Sequence, residues 1–391
     1  MANEIDSVVE SLKSLPAGDV NHAYAIVDRW NRESRTADLL GLAAALEARC
    51  DVEGAARIPF EAVADHVEEV LALTAGADHI DALFSLLGRA RVNSVQRARP
   101  LELRVRSFAS RLGHGQTKDA LVAAIGRAGT KDEHTEILAC WMHETVLRGT
   151  ALTREEVALR FQARLTALGH PLGHMPLSLL PAETEAPTYM PMYGASAISN
   201  ALQRLESGAI STRTVPPPGE QPAPTPSRAV DGAAERELSE AVMPWTSGSN
   251  GKAEAKVFRL EPPIGSVAPG KWLLRALPLE CLDGAAALHA ERTGAETAWG
   301  ALFAAAANGG AYSSGLGGAY GRRAAWTSLA ALVAAPAGAS LHAIDARASA
   351  CTFLMFGGTG GWWHDVAWDI GVLAVRPDGA SVAVLAATDT D

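Results

Sequence analysis

Cysteine is scarce: four residues in 391, Cys50, Cys140, Cys281 and Cys351, with no C-x-x-C pair among them. Such spacing excludes a disulfide-stapled scaffold and a zinc ribbon, and reads as reduced, buried thiols. Positive charge is also short. A formal charge of −10 weighs against a general nucleic-acid or anionic-membrane binder. The N-terminal stretch MANEIDSVVESLKSLPAGDV has no basic start followed by an apolar core, so no secretory signal is expected. The two long uncharged stretches, 297–321 and 324–344, are broken by glycine, or by Pro336, Gly338 and His342, and neither has the roughly 20 strongly apolar residues of a membrane span. What remains is a globular composition, 48% hydrophobic and 20% charged, long enough for more than one core and expected in the cytoplasm.

Residues 1–180 read as an all-helical domain. In DHVEEVLALT, Val67, Val70 and Leu71 fall on one helical face, and short Gly- or Asp-bearing loops punctuate the series. DALFSLLGRA from Asp81 recurs as DALVAAIGRA from Asp119. A period near 40 is that of HEAT- or armadillo-like arrays, with an irregular helical bundle as the alternative. Residues 181–254 read as a Pro-rich linker carrying one or two short helices. VPPPGEQPAPTPSR has too little apolar surface to pack and suits a spacer. Residues 255–391 read as an α+β domain with one mostly antiparallel sheet. AKVFRL, KWLLRALPL, SLHAIDA and ACTFLMF are expected strands, while ETAWGALFAAAA and AYGRRAAWTSLAALVAA are expected helices. VAWDIGVLAV and SVAVLAATDTD flank the turn RPDGA as a hairpin.

The familiar catalytic motifs fail on inspection. GSVAPGKW has phosphate-loop spacing, but Trp272 stands where a hydroxyl should meet magnesium and Pro269 removes a backbone donor. His143-Glu144 opens like a zinc-protease helix, yet Leu147 occupies the second histidine position. HPLGH, His170 to His174, reads as a chain break. Seven arginines between Arg89 and Arg111 read as a solvated face paired with acids elsewhere, with no interleaved aromatics to stack bases. No metal and no cofactor is expected.

The stretch that resists a bland reading is GGAYSSGLGGAYGRR, residues 309–323. Its glycines lead into a helix N-terminus, where free N–H groups favour anions. Arg322 and Arg323 oppose the helix dipole if they lie in its first turn, so a negative partner is expected: a bound anion, or a carboxylate from the C-terminal hairpin. Centring the hairpin on Asp378-Gly379 sets Asp369 opposite Thr388 and Asp389 opposite Trp368. Side-chain alternation then puts Asp369 on one face and Asp389 with Asp391 on the other, which argues against a shared metal. Asp369 is expected to form a polar pair with Thr388, and a buried carboxylate there needs a partner, for which Arg322 or Arg323 is a candidate. GGTGGWWHD, residues 357–365, offers Trp363 as an edge aromatic. The candidate ligand-binding set is therefore Gly317, Gly318, Tyr312, Tyr320, Arg322, Arg323, Asp369 and Trp363.

GGAY…GGAYGRRAAW and the ending VAWDIGVLAVRPDGASVAVLAATDTD resemble an uncharacterised actinobacterial family built on a domain of unknown function. The resemblance is specific over the last third of the chain. It implies a recurring C-terminal module and a bacterial setting, and brings no activity, cofactor or catalytic residue. Two functions follow as expectations. One is a non-enzymatic protein-interaction or scaffold protein that meets a protein partner through its helical region. The other is an enzyme or sensor binding an anionic, phosphate-bearing small molecule at 308–323.

Overall fold

The computed structural model describes residues 2–13, 20–50, 57–87, 101–128, 134–184, 224–229, 232–265, 267–364 and 368–390. Packing divides the chain into two compact units, Met1–Gly173 and His174–Asp391. No helix among the described residues is long and apolar enough to cross a membrane.

The first unit is all helical: α1 (Ala2–Lys13), α2 (Asn21–Arg32), α3 (Thr36–Cys50), α4 (Arg57–Leu73), α5 (Ala77–Leu87), α6 (Leu101–Gly115), α7 (Lys118–Ala128), α8 (Thr135–Leu147) and α9 (Glu156–Ala167). The main packing partners of each helix lie at most three helices away along the chain, so the unit grows as an array. The two copies of the DAL…A pattern begin on α5 and α7, which pack on each other, and residues 88–90 of the first lie outside the described residues. Leu83 and Leu121 occupy equivalent positions and are both buried, as are Leu86 and Ala124. Helix α8 is buried nearly all round, which is why its sequence has no polar stripe.

The second unit holds a six-stranded antiparallel sheet in the order β1-β2-β6-β5-β4-β3. Its strands are β1 (Thr225–Arg228), β2 (Lys252–Glu261), β3 (Ala287–Thr293), β4 (Thr352–Thr359), β5 (Trp368–Val375) and β6 (Ser381–Asp389). Its helices are α10 (Gly232–Leu238), α11 (Met243–Gly248), α12 (Lys271–Ala276), α13 (Ala295–Asn308), α14 (Gly317–Leu332) and α15 (Leu341–Ser349). One face of the sheet carries α13 over β4 and β5, and α14 over β6. The other face builds a core from Phe258, Phe356, Leu373, Val382 and Val384, roofed by Leu273, Leu274, Leu277 and Leu279. Because both faces are covered, β5 and β6 read as continuous apolar runs rather than alternating ones.

The β5–β6 hairpin takes the register that its turn chemistry demands: Trp368 opposes Asp389 and Asp369 opposes Thr388. Gly379 adopts φ +61°, and the Asp378 carboxylate accepts the N–H groups of Ala380 (2.9 Å) and Ser381 (2.8 Å).

Several expectations need correction. KWLLRA forms helix α12 rather than a strand, because its core-facing residues are adjacent, Leu273 and Leu274, and lie flat against the sheet. SLHAIDA forms helix α15. Ser340 is its N-cap, accepting the Ala343 N–H, and Ile344 and Ala348 are buried at helical spacing. Strands β1 and β3 were not foreseen. Within 181–254, read as a linker, residues 185–223 lie outside the described residues. The flanking parts are built into the second unit: the proline-rich run ends as edge strand β1, and Leu238, Ala241, Val242 and Trp245 are buried. The Trp245 indole N–H donates to the Ala305 carbonyl (3.2 Å).

Under the roof of the sheet, Glu254 accepts the N–H groups of Glu280 (2.9 Å) and Cys281 (2.7 Å) and pairs with Lys256 (2.5 Å). Burial raises its pKa, but Lys256 and the two N–H groups outweigh that and hold it below the ordinary value. A depressed carboxyl stabilises the fold above about pH 4, the usual glutamate range, and loses that contribution as pH falls through its folded pKa. Urea midpoints of the wild type and Glu254→Gln are expected to differ at neutral pH and to converge as the pH falls through the folded pKa of Glu254. Curves that stay parallel would contradict this.

Candidate functional site

The glycine-rich loop joins α13 to α14, and its backbone is forced by how closely those helices pack. Gly309 and Gly315 sit at φ +78° and +64°. A Cβ on Gly315 would fall on the Ala307 carbonyl and the Asn308 backbone, and one on Gly321 would come within 2.8 Å of the Ala307 Cβ. The alanines and glycines of this region are thus what lets two helices approach so closely.

The loop's N–H groups have partners from the protein itself. Ala311 N–H donates to Asp389 Oδ2 (2.7 Å), Tyr312 N–H to Ser249 Oγ (3.0 Å), and Gly310 N–H to Ser313 Oγ (2.8 Å). A Cβ on Gly310 would land on the Asp389 carboxylate, so glycine is required for that approach. Asp389 is fully buried. The anion held by this loop is an internal carboxylate. Of the two tyrosines, Tyr312 is 64% exposed and Tyr320 half-buried.

Helix α14 begins at Gly317, which places Arg322 and Arg323 in its second turn, beyond the reach of the dipole argument. Arg322 is 0% exposed. Its Nε and Nη2 donate to Glu183 Oε1 (2.6 Å) and Oε2 (2.8 Å), and its Nη1 and Nη2 donate to the carbonyls of Pro176 (2.8 Å) and Ser178 (3.0 Å). Glu183 also accepts the Trp326 indole N–H (2.7 Å) and the Leu180 N–H (2.7 Å). Next to it, the Asp345 carboxylate accepts the Ala182 N–H (3.0 Å), and burial raises the Asp345 pKa above the ordinary range. The short turn Pro181–Glu183 is in this way locked onto α14. Arg323 pairs with Glu240 (3.1 Å) and is partly exposed. The expected pairing with Asp369 is not formed.

Asp369 lies on the other side of the sheet. It shares a face with its cross-strand partner Thr388, hence with Val384 and Ala386, whereas Asp389 faces the helices. Trp363 is buried in that same roofed core, edge-on to Phe356 at 6.0 Å. The eight candidate residues therefore divide. Gly317, Gly318, Tyr312, Tyr320, Arg322 and Arg323 belong to the helix side, Asp369 and Trp363 to the opposite face. The residues that sequence reasoning missed are Glu183, Glu240 and Ser249, which supply the partners from segments read as linker.

The other candidate groups among the described residues are also held by the protein's own partners. Arg104, from the basic run, is buried and donates to Glu47 (2.7 Å) and Glu68 (2.5 Å), while Arg89, Arg91, Arg97 and Arg99 lie outside the described residues. His143 Nε2 donates to the Leu172 carbonyl (3.2 Å). His170 pairs with Glu136 (2.9 Å), and the Cys140 thiol donates weakly to the same carboxylate (3.5 Å). That order puts the carboxylate, not the imidazole, beside the sulfur. Burial, with Glu136 adding to it, pushes the thiol pKa well up, the opposite of a nucleophile. Burial likewise pushes up the Cys281 thiol and raises Cys351 to about 11. No group of three or more His, Cys, Asp or Glu among the described residues could hold a metal.

The sequence matches the model of DUF6183, a family of unknown function, over residues 21–391. The chain belongs to the DUF6183 family. The match takes in both units. No curated protein and no solved structure matches the chain.

Proposed function

We propose that this DUF6183 member is a non-enzymatic interaction protein of the bacterial cytoplasm, whose helical unit offers a surface to a protein partner. The observation that carries the reading is that the glycine loop, the candidate anion site, is closed by the protein's own acceptors. Asp389 and Ser249 take the loop N–H groups, and Glu183 takes Arg322. An enzyme or sensor binding a phosphate-bearing molecule at 308–323 needs those same donors. The array form of the helical unit adds support, since such arrays present extended surfaces. Its last helix, α9, packs on α7 and α8 and leaves Leu159 46% exposed, with Leu168 just past its end 60% exposed. These are the large apolar side chains left exposed in that unit among the described residues. A terminal helix normally turns a polar face outward.

The test is cross-linking and mass spectrometry of the full chain in extracts of its own host, beside the Leu159→Glu/Leu168→Glu variant. The wild type is expected to retain a defined partner, and the variant to lose it with an unchanged melting temperature. Equal capture by both, or none by either, contradicts the reading.

A further inference from the structure

The two edges of the sheet are built differently. The β1 edge is four residues long and carries Pro226, a device that stops an edge from pairing further. The β3 edge runs seven residues, Ala287–Thr293, in unbroken register with β4, and contains no proline, lysine or bulge. Its outer side pairs with no strand among the described residues. Along it, His289 and Arg292 are exposed. Glu291 is half-buried, burial raises its pKa above the ordinary value, and it has no ion-pair or hydrogen-bond partner among the described residues. A half-buried carboxylate at the edge, with no donor of its own, is placed to accept one from a neighbouring strand.

We propose that β3 pairs antiparallel with β3 of a second copy of this chain, joining the two sheets across a two-fold axis at Ala290. Directly opposed residues share a face, so a two-fold axis perpendicular to the sheet must pass through a residue opposed to itself. Ala290 is the centre of the strand, and only this register overlaps all seven residues. It sets Glu291 opposite the partner's His289, twice over, and Arg292 opposite the partner's Leu288. The imidazole has an N–H for the carboxylate in either tautomer, and protonation strengthens the pair. Moving the axis to His289 or Glu291 shortens the overlap and opposes histidine to histidine or carboxylate to carboxylate. At the axis itself the Ala290 methyl groups leave the backbones free to approach. This inference concerns the α+β unit and stands apart from the partner surface of the helical unit.

The test is sedimentation equilibrium of the full chain over a concentration series reaching about 100 µM, a range that reveals a weak dimer. The wild type is expected to self-associate. His289→Glu, which opposes carboxylates at both ends of the axis, is expected to weaken the dimer by about tenfold. Exchanging the pair, His289→Glu with Glu291→His, is expected to restore it, and none of these changes should move the melting temperature of the monomer. A wild type that stays monomeric throughout overturns the proposal. So does a dimer that His289→Glu leaves intact or that the exchange fails to rescue.

Discussion

Glu183→Ala is expected to destabilise the α+β unit by about 3–5 kcal/mol, the cost of leaving one buried charge without its counterpart. Arg322 is fully buried, and without Glu183 its guanidinium loses the carboxylate that meets both Nε and Nη2, while the Trp326 indole and the Leu180 N–H lose their acceptor. In a unit of this size such a loss lowers the melting temperature by roughly 10 °C. Arg322→Ala should cost a similar amount, for the mirror-image reason. The double replacement Glu183→Leu/Arg322→Met removes both charges and should recover part of the loss, because apolar side chains of like volume often serve as well as a buried pair. Thermal unfolding of the full chain reads all three. An Arg322→Ala variant within about 1 kcal/mol of the wild type would mean that the guanidinium does not work from inside the fold.

Gly315→Ala is expected to cost about 3 kcal/mol or more, through two effects that add at one residue. The residue sits at φ +64°, and its new methyl group would fall on the backbone of Ala307 and Asn308, which the helix α13 cannot move aside. Gly360 makes the matched control. It has φ +67° but nothing within 4 Å of an added Cβ, so Gly360→Ala should cost only the left-handed penalty of about 1–2 kcal/mol. Urea denaturation of the two variants separates the terms. Equal losses would show that the loop yields where the structure packs it tightest.

The hairpin was legible in the sequence to the residue, because Pro377, Asp378 and Gly379 fix the turn and the turn fixes every pair beyond it. Alternation likewise placed Asp369 and Asp389 on opposite faces. It could not say which face meets the helices, and so Asp369 was matched to arginines that lie on the other side of the sheet. Helix α15 had a readable start in Ser340, overlooked because SLHAIDA is short enough to fit either period. Glu183 and Glu240 were beyond reach for another reason. Each meets its arginine across a long stretch of chain, and nothing local distinguishes an ion-paired glutamate in PAETE or ELSEAV from a solvated one. The position of Arg322 in its helix depended on a boundary that lies two residues earlier than the helix-like run itself. Moving it took the charge out of the first turn and with it the argument for a bound anion.

The account rests on the glycine loop being closed from within. The most direct measurement follows the amide resonances of Ala311 and Tyr312 in the full chain while inorganic phosphate, nucleotides and nucleotide sugars are added in turn. With Asp389 and Ser249 already accepting those N–H groups, both resonances are expected to stay where they are. A saturable shift of either one would show that an outside anion displaces the protein's own acceptors, and would contradict the account.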